Sequence, residues 1–202
     1  MRIRVSKKDV SELRAELVVC FAYEGDKQPA GVKHAGLRKA LAAEMKAEQF
    51  TGQPTDFVFW NTDGKFASSR FAVIGLGPRT ETPGEAIRQG AARAARAAAR
   101  FSSKSFALGL PPRSDGDGGA EVRAAIEGAV LGGYHFERHL TDKTRKIVKP
   151  RSLEVSLDDK GRGMSKASRL GQIGSRAVCL ARDLVNEAPS RMNPTAFARE
   201  AK

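Results

Sequence analysis

Cysteine, tryptophan and histidine are scarce in this 202-residue sequence, which contains two, one and three of them respectively. Neither Cys20 nor Cys179 lies in a C-x-x-C pair, so the sequence indicates neither a zinc ribbon nor a dithiol redox centre. Few cysteines and no export signal are typical of a reducing compartment. We therefore expect a cytoplasmic protein with two free thiols and no Cys20–Cys179 disulfide.

Long apolar runs are also missing. No run approaches the roughly 20 residues that span a bilayer, and the start "MRIRVSKKDV" lacks the apolar stretch of a secretory signal. The composition, 41% hydrophobic and 29% charged, is that of a globular protein. The length suits one domain with an appendage or two small domains, and no membrane partner is expected.

Hydrolase and nucleotide motifs are incomplete. No serine lies in a G-x-S-x-G elbow. The stretch "GLGPRTETPGE" places Gly75 and Gly77 between a predicted strand and a predicted helix, where a phosphate could meet free amides. Thr80 stands where a dinucleotide fingerprint needs its third glycine, so the two glycines predict a tight strand-to-helix turn.

Metal-ligand patterns are incomplete in the same way. The stretch "SDGDGGAE" carries Asp115, Asp117 and Glu121 but lacks the ligand spacing of an EF-hand, so it predicts a loop. His135 and His139 are four residues apart without the glutamate of an H-E-x-x-H motif. The sequence therefore assigns no catalytic residue and no metal ligand.

Positive charge is what the sequence has in excess. Lys and Arg total 35 against 23 acidic residues, which gives a net charge of +12. Such a balance favours contact with nucleic acid or another polyanion, but a basic proteome, or a fragment whose acidic counterpart lies elsewhere, is the simpler explanation of the charge. Arg93, Arg96 and Arg100 form a stripe at helical spacing, which is either a solvated face or a surface that contacts nucleic-acid phosphates.

Apolar runs and helical periodicity outline the elements. Strands are predicted at residues 3–5, 17–22, 56–60, 70–77, 105–110 and 152–157, and helices at 31–48, 84–100, 120–136 and 165–188, with another beginning at Pro194. Asp63-Gly64 predicts a hairpin turn. Thr82 as the N-cap, Pro83 as the first helical residue and Glu85 predict a capping box.

The order of these elements predicts an α/β fold. Strands alternate with helices from residue 50 to residue 160, which favours a mostly parallel sheet with helices on both faces. The predicted hairpin makes the sheet mixed. The long helix that begins near residue 165 then leaves the domain as a linker.

The last third of the chain resembles a known family. "GYHFERH" after an apolar helix, followed by "LGQIGSRAVCLARDLVNEAPSRMNPTAFAREA", resembles the leucyl (cytosol) aminopeptidase family. The matching positions are Gly133–Phe136, Ala181–Asn186, Pro189 and Pro194, and residues 71–100 resemble the central strand and helix of the family's amino-terminal domain. The sequence departs from the family at two places. "RHLTDK" stands where a Tyr-Lys pair is frequent, and Ser190 follows Pro189 where asparagine is frequent.

The resemblance implies an architecture and an activity. Residues 1–163 would be a macro-domain-like amino-terminal domain, and residues 164–202 the linker helix and the start of a catalytic domain that is absent here. That domain would hold two divalent metals, manganese or zinc, in a hexameric enzyme that releases amino-terminal residues, leucine favoured. Neither metals nor catalysis are expected in this segment, and "NTDGK" (61–65) resembles the family's metal signature only in part.

Two other functions stay open at this stage. One is a basic binding module for DNA, through Arg93, Arg96 and Arg100, or for an ADP-ribose-like ligand. The other is a standalone structural protein, against which Phe197 and Leu184 argue, because exposed apolar side chains near the end of the chain would need a partner. The partners expected are thus its own catalytic domain, other copies of the protein and, alternatively, DNA.

Overall fold

The computed structural model describes residues 1–80, 82–112, 118–139, 141, 148–157 and 163–200. The strands within them are β1 (Arg2–Ser6), β2 (Leu17–Ala22), β3 (Phe57–Asn61), β4 (Arg70–Gly75), β5 (Ser105–Gly109) and β6 (Ser152–Ser156). The helices are α1 (Ala35–Ala47), α2 (Gly84–Arg100), α3 (Gly119–Gly132), α4 (Met164–Asn186) and α5 (Pro194–Glu200).

The six strands form one sheet in the order β1-β6-β5-β2-β4-β3. Every neighbouring pair is parallel except β3 and β4, which are antiparallel. The predicted mixed, mostly parallel sheet is confirmed. The continuous apolar run "LVVCFA" of β2 is buried throughout, as expected of a central strand whose two faces are both covered.

The antiparallel pair is the predicted hairpin. Asp63 and Gly64 both have positive φ, 50° and 79°, as a turn with left-handed central residues requires. The buried Thr62 hydroxyl donates to the Ser68 carbonyl at 2.9 Å, which closes the base of the connection. "NTDGK" is therefore the turn of a hairpin.

Helices cover both faces of the sheet. Alternate residues of β2 point in opposite directions, so Leu17, Val19 and Phe21 enter one core while Val18 and Cys20 enter the other. The first core is completed by α2, α3 and the start of α4, and the second by α1. The prediction of helices on both faces is confirmed.

Helices α2 and α3 approach each other through small residues. A Cβ added to Gly128 would lie 2.0 Å from the Arg88 carbonyl oxygen, and one added to Gly132 would lie 2.4 Å from the Cα of Ala92. The α2 side chains nearest to the end of α3 are small: the Ala92 Cβ would lie 2.6 Å from a Cβ added to Gly132, and the Ala95 Cβ 3.8 Å from one added to Gly133. The alanine-rich sequence of α2 is thus what allows two backbones to pack closely.

The predicted capping box at the start of α2 is wrong. Pro83 occupies the N-cap with αR dihedrals (φ −72°, ψ 0°) and no side chain caps the helix. Because the chain already turns at Pro83, Thr82 is one residue too early to cap the first amides. The Glu85 carboxylate accepts from Gln89 at 3.0 Å and pairs with Arg88.

Helix α3 is shorter than predicted. It ends at Gly132 instead of continuing to residue 136, and the Gly133 amide donates to the Ala129 carbonyl at 3.2 Å as the closing bond. Two consecutive glycines make continuation of the helix costly. The "YHF" segment therefore leaves α3 as a loop.

The first half of α4 packs on the domain. Met164, Ala167, Gly171 and Ser175 are buried, and a Cβ at Gly171 would lie 3.1 Å from the Arg123 carbonyl oxygen of α3. From Arg176 onward most side chains of α4 are exposed. Within the described ranges, no helix is both long enough and apolar enough to cross a membrane.

Candidate functional site around the carboxyl end of α4

The sequence motifs at residues 133–136 and 181–186 lie against each other. The Tyr134 hydroxyl donates to Asp183 Oδ1 at 2.8 Å and accepts from the Asn186 amide at 3.3 Å. The Arg182 guanidinium lies 5.5 Å from the centre of the Tyr134 ring, within the range of a cation–π contact. Side chains of "ARDLVN" therefore hold the loop that follows α3.

Glu187 forms the second half of this attachment. Its Oε2 accepts from Arg138 at 3.1 Å, and its Oε1 accepts from His139 Nε2 at 2.6 Å and from the Ala188 amide at 3.2 Å. The Glu187 side chain is only 5% exposed. We call the set Tyr134, Arg138, His139, Asp183, Asn186 and Glu187 the clasp.

The clasp holds Glu187 in its charged form. Loss of water around the carboxylate raises the pKa of Glu187, but hydrogen bonds from Arg138, His139 and the Ala188 amide outweigh this, so the net pKa lies below its ordinary value. Because a carboxylate only accepts, the proton in the His139–Glu187 bond belongs to His139 Nε2. The bonds to Glu187 are thus charge-assisted.

Replacing Glu187 with glutamine should lower stability in a pH-dependent way. A carboxyl whose pKa is lower in the folded state contributes stability above its unfolded pKa of about 4.3, and that contribution disappears as the pH falls through the folded value. We expect Glu187→Gln to unfold at lower denaturant than the wild type at pH 7, and the difference to shrink near pH 3. The matched control is Glu24→Gln at an exposed carboxylate, for which a change of equal size at pH 7 would contradict the prediction.

The predicted arginine stripe does not form one open surface. Arg93 is half-buried, and its guanidinium donates to the Asp56 carbonyl at 2.8 Å and the Gly75 carbonyl at 3.3 Å. Burial lowers the pKa of Arg93, and neighbouring Arg96 lowers it further. Arg96 and Arg100 are exposed. Only these two present charge to solvent, while Arg93 ties α2 to the edge of the sheet.

The amides at Gly75–Gly77 are engaged by backbone carbonyls. Gly75 donates to Asp56 at 3.2 Å, Leu76 to Ala22 at 2.9 Å and Gly77 to Gly52 at 2.8 Å. A Cβ at Gly75 would lie 2.0 Å from the Gln53 carbonyl oxygen. The glycines therefore accommodate the loop at residues 52–54. The predicted tight strand-to-helix turn is wrong, because α2 begins only at Gly84.

The other candidate ligands are dispersed. No group of three histidine, cysteine or acidic side chains that could hold a metal occurs in the described part of the chain. Asp115 and Asp117 lie outside the described residues, and Glu121 is buried in the first turn of α3. Cys20 and Cys179 are free, as predicted, and burial raises the pKa of both thiols.

Comparison with known proteins identifies the family. Residues 18–143 match the family described as "Cytosol aminopeptidase family, N-terminal domain". The chain belongs to this family. A probable cytosol aminopeptidase of Aquifex aeolicus is 29% identical over the whole chain, and one of Parasynechococcus marenigrum is 34% identical over 80% of it. The chain spans 40% of the first relative and 32% of the second.

Solved structures show the same fold. A mutant of tomato leucine aminopeptidase superposes on the whole chain with a TM-score of 0.79 at 20% identity, and the chain covers 41% of it. The bottromycin maturation enzyme BotP in complex with Mn superposes on 92% of the chain with a TM-score of 0.67 at 25% identity. In both, the match covers well under half of the other protein.

The chain leaves several large apolar side chains exposed on α4 and α5. They are Leu170, Ile173, Val178, Leu180 and Val185 on α4 and Phe197 on α5. Val185 is 83% exposed and Phe197 52%. Leu184, expected to be exposed, is half-buried. We call these six residues the α4–α5 apolar face.

The sequence contains both motifs of the clasp, but it did not predict that Arg138 and His139 would bind Glu187. The chain positions joined there are almost fifty residues apart, so helical periodicity carries no signal for them. Glu187 comes directly after α4, but the sequence does not show that this glutamate is buried.

Proposed function

We propose that this chain is the non-catalytic amino-terminal region of an aminopeptidase that uses two divalent metals and favours amino-terminal leucine. The observation that carries the proposal is the match of residues 18–143 to the family's N-terminal domain. In this proposal residues 1–163 are the domain and residues 164–202 are the linker and the start of the catalytic domain. BotP, solved in complex with Mn, supports manganese as one of the metals.

The α4–α5 apolar face supports contact with the enzyme's own catalytic domain. Six large apolar side chains are exposed on α4 and α5, and packing of another domain against these helices would bury them. The clasp keeps the carboxyl end of α4 fixed to the loop after α3, so it sets the direction in which the chain continues. The proposal also includes assembly into a hexamer and a location in the cytoplasm. The relatives' name, cytosol aminopeptidase, supports the location.

The experiment is an activity assay on two proteins. The complete gene product that contains this sequence is expected to release p-nitroaniline from leucine p-nitroanilide, with a rate that rises when manganese is added. The 202-residue chain is expected to release none under the same conditions. Metal-independent activity of the complete product, or activity of the 202-residue chain, would overturn the proposal. Alanine p-nitroanilide is the control for leucine preference.

DNA binding through Arg96 and Arg100 is a second proposal. The exposure of both side chains and the net charge of +12 support it. A gel shift at low salt tests it, because phosphate contacts weaken steeply with salt. Retention of binding by Arg96→Gln/Arg100→Gln would exclude this surface.

A further inference from the structure

The sheet has two edge strands, and they differ in charge. Strand β1 carries Arg2 and Arg4, whose side chains are both exposed. Strand β3 has the sequence "FVFWN", which contains no charged residue, proline or glycine. Charged side chains, prolines and bulges are the usual means by which an edge strand is kept from pairing with another chain. The β3 edge therefore lacks the protection that the β1 edge has.

Alternate residues of β3 direct their main-chain groups away from the sheet. The Gly75 amide donates to the Asp56 carbonyl at 3.2 Å, and the Thr62 amide donates to the Ser69 carbonyl at 3.0 Å. These bonds flank the β3–β4 ladder, in which bonded and non-bonded residue pairs alternate. The even-numbered residues of β3 therefore bond to β4, and the amides and carbonyls of its odd-numbered residues point outward.

The outward amides and carbonyls belong to Phe57, Phe59 and Asn61. Since β3 is the last strand of the sheet, these groups have no hydrogen-bond partner in the described part of the chain. The rings of Phe57 and Phe59 stack on Phe101, with centroid distances of 6.2 and 4.3 Å. Because this stacking and the pairing with β4 hold the strand in place, its free edge is preformed.

The β3 edge is complementary to itself. When two β3 strands run antiparallel about a two-fold axis at Phe59, Phe59 faces its own copy and Phe57 faces Asn61. Each of these pairs can exchange two main-chain hydrogen bonds. On the other face of the sheet Val58 faces Trp60, a β-branched and aromatic pair of the kind that stabilises sheets. Within β3, this register places no charged side chain opposite another.

We propose that two copies of this chain pair through β3 and join their sheets into one. Charge favours β3 over β1 for this contact. Pairing of two β1 strands with Ile3 opposite Val5 would place Arg4 opposite its own copy, and like charges that face each other directly are destabilising. A second copy fits better than an unrelated peptide, because β3 itself supplies the matching side chains in the required register.

The contact is small, so the association should be weak. A strand of this length extends over about 17 Å. One such strand pair covers less than the roughly 1,200–2,000 Å² of a stable interface, so we expect a dissociation constant above about 1 μM. The pairing uses both edges of the two-fold contact and therefore stops at two copies. It does not depend on the proposed aminopeptidase activity.

The test is sedimentation velocity of the 202-residue chain over a wide range of concentration. The average mass is expected to rise from that of one chain toward that of two. Asn61→Pro should weaken the association at least about tenfold, because it removes an amide that donates across the contact in both directions. The edge strand tolerates proline where the nitrogen faces solvent. The matched control Asn61→Ser keeps the amide and should stay within about twofold of the wild type.

Hydrogen exchange of single amides supplies a second measurement that needs no variant. The amides of Val58 and Trp60 face β4, so they should be protected at every concentration. The amides of Phe57, Phe59 and Asn61 should become protected only at concentrations where two copies associate. This alternation along one strand is specific to the proposed register, and a contact through side chains alone would not produce it.

A chain that stays single at every concentration would overturn the proposal, as would growth beyond two copies or equal weakening by Asn61→Pro and Asn61→Ser. Association that survives Asn61→Pro but is lost in Val185→Ser would assign the contact to the α4–α5 apolar face and would also overturn it. Protection of the Phe59 amide that does not change with concentration would mean pairing within one chain, with the same consequence. None of these results bears on the aminopeptidase assay.

Discussion

Replacing Gly128 with alanine is expected to destabilise the protein by about 1–3 kcal/mol. The added Cβ would lie 2.0 Å from the Arg88 carbonyl oxygen, which is backbone and cannot rotate away. Helices α2 and α3 would have to separate, and Ala92 and Ala95 of α2 would lose contact with the end of α3. This substitution is the smallest that can be made at the position, so the effect isolates the approach of the two helices.

Gly174→Ala is the matched control for this result. Gly174 also lies inside a helix, α4, but its added Cβ would be 3.7 Å from Glu127 Oε1, an ordinary contact. Alanine is favoured over glycine in a helix by up to about 1 kcal/mol, so this variant should be slightly more stable than the wild type. Urea unfolding of both variants measures the difference, and equal destabilisation would contradict the close-packing explanation.

Phe21→Ala is expected to cost about 3–5 kcal/mol of unfolding free energy. Phe21 is fully buried on β2, the strand that pairs with both β4 and β5, and it belongs to the core beneath α2 and α3. Its truncation would leave a cavity that close-packed neighbours cannot fill. The chain is expected to be unfolded in part at 37 °C, which circular dichroism would detect.

Phe57→Ala serves as the comparison. Phe57 lies on the edge strand β3, is 36% exposed and stacks on Phe101 at a centroid distance of 6.2 Å. Its truncation removes less buried area and opens no internal cavity, so a loss of about 1 kcal/mol is expected. If the two phenylalanines cost the same, β2 would not be the structural centre of the sheet.

Most elements could be predicted because their signals are local. The run "LVVCFA" predicted a strand, which the structure buries, and Asp63-Gly64 predicted the hairpin turn, in which both residues have positive φ. Helix ends were less predictable. Thr82 has the side chain of an N-cap residue, but Pro83 has αR dihedrals and is itself the N-cap. The residue types alone do not reveal this backbone conformation.

Contacts between residues that are far apart in the chain could not be predicted from the sequence. Spacing places Arg93, Arg96 and Arg100 on one helix face, but it does not say that Arg93 meets the carbonyls of Gly75 and Asp56. The clasp was visible only as two motifs whose contact the sequence could not show.

The pairing of β1 with β6 has a consequence for how the protein is made. Arg2 pairs with Ser152, so β1 leaves the ribosome long before β6, the strand with which it pairs. At common rates of translation that interval is roughly 10–30 s. Throughout it β1 has no neighbour, and β5 has an open edge from its own synthesis until β6 follows. A nascent chain halted before residue 152 would therefore carry two unsatisfied strands, and chaperones that shield such edges should be retained on it until β6 emerges.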